Sequence, residues 1–141
     1  MIATHIVVEV VLNRLEMSRI NKQYSFINPD PTLKSNLMAF GFECDDGWIP
    51  LLKELFDNIE QILEDDPELV FQVLQVKEKF GTLRVYYYGG NEEIEKLVDD
   101  ACDKSEITCE TCGEAGELRD KNYWYRTLCD LHYEMWLDNK F

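Results

Sequence analysis

From Trp48 onward, apolar residues recur at Leu51, Leu52, Leu55, Phe56, Ile59, Ile62 and Leu63, with Glu54, Asp57, Glu60 and Glu64 on the intervening positions. This three-four spacing predicts an amphipathic helix over about 47–64. Asp45 or Asp46 is placed to cap its start, Pro50 suits a first turn, and Asp65-Asp66-Pro67 ends it. Residues 69–89 alternate instead and are rich in Val, Phe and Tyr around Gly81-Thr82, which predicts a β-hairpin. With Gly81 and Thr82 as loop residues, Lys79 opposes Arg84, Lys77 opposes Tyr86 and Gln75 opposes Tyr88 on one face. The opposite face carries Leu74, Val76, Phe80, Leu83, Val85 and Tyr87 and is the expected core side, where Glu78 needs a partner or a sheet edge.

Gly89-Gly90 breaks the strand, and Asn91 followed by Glu92, Glu93 and Glu95 starts a helix over about 91–105, with its acid where the macrodipole favours it. Ile94, Leu97, Val98, Ala101 and Cys102 form its apolar stripe. Nearer the N-terminus, Ile6, Val7, Val10, Val11 and Leu15 favour a helix by spacing although their Val content suits a strand. Asn28-Pro-Asp-Pro31 marks residues 21–36 as loop. The expected class is α+β: helices packed on a small antiparallel sheet over residues 1–105, followed by a zinc-binding subdomain over 106–141.

That subdomain is predicted by Cys109-x-x-Cys112 and, after sixteen intervening residues, Cys129-x-x-His132. Two residues between ligands let a single turn aim both at one tetrahedral ion, and Gly113 permits the tight knuckle. Four ligands leave no open position, so one structural zinc ion is expected. A hairpin through Leu118 to Tyr125 and a helix from Cys129 to Lys140, bearing Leu131, Tyr133, Met135, Trp136 and Leu137, suggest a treble-clef-like or zinc-ribbon-like unit. So short and polar a segment buries too little surface alone, and zinc contributes roughly 10 kcal/mol or more to such units. Cys44 and Cys102 read as small buried hydrophobes, and Trp48, Trp124 and Trp136 as packing residues.

Charge then narrows the partners. The 28 acidic and 14 basic residues give −14, and residues 1–42 hold only three acidic and four basic ones, so the deficit lies beyond them. Such a field disfavours nucleic acid and anionic membranes and steers toward basic partners. Glu43 to Glu68 holds ten acidic residues against Lys53 alone. Neither a membrane span nor a basic-headed signal segment is visible, so a cytoplasmic location is expected. Catalytic signatures are sparse: the histidines are His5 and His132, the second committed to zinc, and there is no Gly-rich phosphate loop, activated serine or redox cysteine pair. Glu43, Asp45 and Asp46 offer a magnesium triplet for a hydrolase, but the expectation is a protein without catalysis.

Three stretches, Gly41-Phe-Glu-Cys-Asp-Asp-Gly-Trp48, Val76-Lys-Glu-Lys-Phe-Gly-Thr-Leu-Arg-Val-Tyr-Tyr-Tyr88, and Thr108-Cys-Glu-Thr-Cys-Gly113 with Thr127-Leu-Cys-Asp-Leu-His132, resemble a group of small, uncharacterised zinc-binding proteins of bacteria and their phages. The resemblance covers about residues 40–135 and implies phage or prophage origin, hence a host cytoplasm, where small acidic proteins block defence systems. The first functional expectation is a non-catalytic binding protein, in its inhibitor form an anti-CRISPR or other anti-defence factor imitating nucleic-acid phosphates, that engages a basic protein or nucleoprotein complex of the host through Asp45, Asp46, Glu54, Asp57, Glu60, Glu64, Asp65 and Asp66. The second, of another class, is nucleic-acid binding by Lys77, Lys79, Arg84, Tyr86 and Tyr88, which combine cationic grips with stacking platforms. The third is a metal-dependent nuclease.

Overall fold

The computed structural model describes residues 24–27 and 36–140. Strands β1 (Phe42–Glu43), β2 (Phe71–Lys79) and β3 (Thr82–Gly89) form one sheet, and β4 (Glu117–Lys121) pairs with β5 (Trp124–Leu128) in another. Helices α1 (Ile49–Asp65), α2 (Glu92–Ser105) and α3 (Asp130–Leu137) complete an α+β chain. The helix expected near residues 6–15, the prolines of the 28–31 loop and His5 lie outside the described residues.

The larger sheet is mixed rather than antiparallel, because β1 runs parallel to β2 with Phe42 beside Val76 and Glu43 beside Lys77. The reason is the connection: α1 intervenes, and a strand–helix–strand crossover returns the chain in the same direction. Antiparallel β2–β3 pairing sets Lys79 opposite Thr82, Lys77 opposite Arg84 and Gln75 opposite Tyr86, two residues away from the expected register. The turn residues are Phe80 and Gly81, at φ 54° and 81°. A two-residue hairpin turn with both φ positive matches the strand twist, so the loop sits one residue earlier than Gly81-Thr82. A shift of two leaves each side chain on its expected face. Phe80 nevertheless leaves the core side, 66% exposed at the turn. A bulge between Val73 and Gln75 moves Val73 opposite Tyr87 and fully buries it, while Leu74 is half-buried. Glu78 finds its partner at the turn, where Oε1 accepts a hydrogen bond from the Gly81 amide at 2.7 Å.

Helix α1 buries Ile49, Leu52, Leu55, Phe56 and Ile59, with Leu51, Ile62 and Leu63 packed at the core's margin. Neither Asp45 nor Asp46 caps it: Trp48 occupies the N-cap without a side-chain bond, after a 3-10 turn over Asp46–Trp48. The Asp45 carboxylate is drawn away to Arg126, with Oδ2 2.6 Å from Nη2. Helix α2 follows expectation, its first amides capped by Asn91 Oδ1 accepting from Ile94 N at 2.9 Å. Both helices cover one face of the larger sheet. Tyr24, Phe26 and Ile27 add to this core, with the Phe26 ring 5.8 Å from Phe56 and 5.3 Å from Phe71. Among the described residues no helix is long and apolar enough to cross a membrane.

Candidate metal centre

The C-terminal cysteines and histidine are brought together by two local devices. Thr108 bridges to Ala115, Cys109 N donates to Glu114 O at 2.7 Å, and Gly113 N donates to Cys109 O at 2.8 Å. These bonds fold Cys109–Gly113 into a knuckle, which Gly113 closes at φ 83°. The second device is the start of α3, where Cys129 is the N-cap and its Sγ lies 3.5 Å from the donating amide of His132. The intervening hairpin turns at Asn122 and Tyr123, and α3 stops at Leu137 rather than Lys140.

All four ligand atoms lie within 4.8 Å of one another. Cys112 Sγ is 3.8 Å from Cys129 Sγ, and His132 Nδ1 is 3.6 Å from Cys109 Sγ and 3.2 Å from Cys129 Sγ. A tetrahedron with metal–sulfur bonds near 2.3 Å and metal–nitrogen bonds near 2.0 Å has edges of about 3.5–3.8 Å, so the donor set fits such an ion through Nδ1. Electrostatics agree. Burial works against ionisation of Cys109, but hydrogen bonds from the backbone at Cys129, Cys112 and Thr111 outweigh it and lower its pKa. Cys112 is pushed up to about 12, by burial first and then by the neighbouring sulfurs of Cys109 and Cys129. Crowded thiols of this kind cannot all ionise without a cation among them. Burial and then Arg126 lower the His132 pKa, favouring the neutral imidazole that a metal requires.

The knuckle is sewn to the core by the stretch Asp45–Trp48. Gly47 N donates to Glu110 O at 2.7 Å, and Trp48, fully buried, donates from Nε1 to Thr108 O at 2.9 Å. A Cβ on Gly47 would stand 2.2 Å from Cys109 O, so only glycine fits there. On the other side, Thr127 Oγ1 donates to Gly81 O at 2.7 Å, placing the β2–β3 turn on the β4–β5 hairpin. Glu110, between the first two ligands, is buried, and desolvation raises its pKa to about 7, against the Asp45 amide and Arg126, which lower it. Glu110, Arg126 and Thr108 were not singled out by sequence reasoning, since their partners lie about 60 or more residues away. Trp124, read as a packing residue, is 68% exposed, whereas Trp48 does pack in the core. Cys44 and Cys102 are half-buried against the core, and desolvation raises both thiol pKa values.

The acidic residues expected to form one surface separate into two groups. Asp45 and Asp46 lie at the seam with the knuckle, while Glu64, Asp65 and Asp66 stand at the far end of α1, about 24 Å along a helix of this length. Several have internal partners: Glu54 Oε1 lies 3.3 Å from Lys104 Nζ, Asp57 accepts from the Tyr24 hydroxyl, and Asp65 accepts from Gln61. Glu60 is half-buried. By contrast, Lys77, Lys79, Arg84, Tyr86 and Tyr88 do share one face of β2–β3, with Lys77 half-buried and the other four exposed. Among the described residues the Cys/His set is the group of three or more potential ligands whose donor atoms converge, and Glu43, Asp45 and Asp46 form no such group. Comparison with protein-family models, curated proteins and solved structures finds no match for this chain.

Proposed function

We propose that the chain is a non-catalytic binding protein whose C-terminal unit folds around one zinc ion in a treble-clef-like arrangement, and whose acidic surface engages a basic site on a larger protein or nucleoprotein complex. Zinc would be held by Cys109 and Cys112 from the knuckle and by Cys129 and His132 from the start of α3, and its chemistry there is structural. Support for zinc is the convergence of four soft or borderline donors with no carboxylate among them.

The observation carrying the binding reading is where α1 keeps its acid. It has no acidic residue in its first turn and no basic residue in its last, yet Glu64 and Asp65 occupy that last turn and Asp66 its C-cap. Each acid beside the negative end of a helix dipole costs about 0.3–1 kcal/mol. The neighbouring α2 obeys the opposite rule, with Glu92, Glu93 and Glu95 first and Lys104 last. An arrangement that works against its own helix is expected where a surface serves something else. With Asp45, Glu54, Asp57 and Asp65 engaged internally, the partner-facing set is Glu60, Glu64 and Asp66. Affinity capture from a bacterial host lysate tests this: a stoichiometric basic protein is expected with the native chain and lost when Glu60, Glu64 and Asp66 become Lys. Recovery unchanged by the reversal removes the reading. In its inhibitor form, an anti-CRISPR or related anti-defence factor, the captured complex would also be released by competing nucleic acid.

A second reading, nucleic-acid binding through the β2–β3 face, is favoured by the exposure of Lys79, Arg84, Tyr86 and Tyr88 side by side. A salt titration with single-stranded DNA separates the two, since phosphate contacts give affinity that falls steeply with salt. No binding at low ionic strength ends the second reading.

A further inference from the structure

The three cysteines that meet at the metal centre are not equally accessible. Cys109 is fully buried, Cys129 half-buried and Cys112 exposed. A cleft of about 690 Å³ opens on the centre, and Cys112, Cys129 and His132 line it while Cys109 does not. We propose that Cys112 and Cys129 form an oxidation site for a hydroperoxide, which closes them into a disulfide and withdraws both sulfurs from the metal. The proposal rests on the metal-bound reading above.

Geometry selects the pair. Cys112 Sγ lies 3.8 Å from Cys129 Sγ, about 1.8 Å more than a disulfide bond requires. One residue sits in the knuckle just before Gly113 and the other at the N-cap of α3, 17 positions on, a pairing that no sequence motif marks. Metal coordination keeps both sulfurs as thiolates, the reactive form. Cys44 and Cys102 are half-buried instead, and burial holds them as thiols. With hydrogen peroxide, the exposed Cys112 Sγ attacks one oxygen, the O–O bond breaks, a sulfenic acid forms and hydroxide leaves. Cys129 Sγ then attacks the Cys112 sulfur, the S–O bond breaks, the S–S bond forms and a second hydroxide leaves. The sulfurs give up two electrons, the peroxide accepts them, and two protons from solvent turn both hydroxides into water. Cys109 and His132 alone cannot complete a tetrahedral set, so α3, which buries no residue, loses its anchor.

The test takes the full chain loaded with zinc, measures the bound metal by elemental analysis, and adds hydrogen peroxide in the presence of a chromogenic zinc indicator. Loss of the one bound zinc is expected, together with a disulfide that peptide mass spectrometry assigns to Cys112 and Cys129. Reduction with dithiothreitol is expected to restore zinc binding. The double variant Cys44→Ser, Cys102→Ser is expected to release zinc at the native rate, since neither thiol takes part. Oxidation of Cys44 or Cys102 ahead of zinc release, a first disulfide joining Cys109 to Cys112, or slower release by the double variant overturns the proposal. Zinc bound at the start and retained through peroxide treatment overturns the oxidation site alone. A chain that holds no zinc before peroxide is added overturns the metal reading and the oxidation site together.

Discussion

The layer made by α1, α2 and the larger sheet fully buries Trp48, Phe56, Ile59, Val73, Val76 and Leu83, whereas α3 buries no residue at all and, among the described residues beyond Ser105, the buried apolar side chains are Cys109 and Leu128. Both regions contain regular secondary structure. Only the first has the apolar area to hold it, since a fully buried large side chain contributes about 1.5–3 kcal/mol and the second region has almost none. Order in the tail comes from the bonds across the seam with Asp45–Trp48 and the Gly81 turn and, in the proposed reading, from a metal held by the converging thiols and imidazole. The two regions therefore are expected to respond to different insults.

The largest effect is expected from removing the metal. Chelation, or Cys112→Ser, takes away a contribution of about 10 kcal/mol in units of this kind, far more than the tail's burial provides. Amide exchange is expected to show residues 106–140 losing protection while α1 and α2 remain ordered. Equal protection with and without chelator would mean that the tail is held by packing after all.

Next comes Trp48, the core residue that reaches across the seam. Trp48→Ala is expected to cost about 3–5 kcal/mol in denaturant unfolding. Because its indole N–H also serves Thr108 O at 2.9 Å, protection at the knuckle is expected to fall with it. Gly47→Ala is smaller, about 1–3 kcal/mol, the range for overpacking a tight contact. Its Cβ would meet backbone oxygens of Cys109 and Glu110 at 2.2 and 2.5 Å, so the knuckle has to shift. Competition with a zinc chelator is expected to reveal weaker metal retention, and unchanged retention would uncouple the seam from the metal centre.

This seam explains what could and could not be read from the chain alone. Helices α1 and α2 were legible because a 3.6-residue period needs only near neighbours, and the four ligands because their spacing is itself local. The hairpin was legible as a hairpin, but its register depended on Phe80 accepting a left-handed conformation, which a bulky residue does not advertise. The Val73 bulge coincides with a bond from its amide to Phe26 O at 2.9 Å, a partner from a distant segment. Asp45 looked like a helix cap because caps are local, yet its carboxylate goes to Arg126, 81 residues on. Residues far apart in the chain meet at this seam: Gly47 and Trp48 bond to the Cys109 knuckle, and the Gly81 carbonyl accepts from Thr127.

The smallest effect probes the core side of the comparison through Tyr24, whose hydroxyl donates to Asp57. Tyr24→Phe removes one hydrogen bond to a charged group at an otherwise unchanged ring, so about 1 kcal/mol is expected at neutral pH. The pH dependence is more telling. Burial, then the hydrogen bond and charge of Asp57, raise the Tyr24 pKa above its ordinary value of 10.0. The native state therefore keeps the phenol protonated where the unfolded chain has lost its proton, and the protonated form is the one that folds. The contribution is complete below about pH 10 and shrinks as pH rises past it, by up to about 1.4 kcal/mol per pH unit. The native protein is thus expected to be more stable than Tyr24→Phe at pH 7, with the gap closing and then reversing above pH 10, as measured by urea unfolding at each pH. A gap independent of pH would place the hydroxyl in water and leave Asp57 available to the acidic surface.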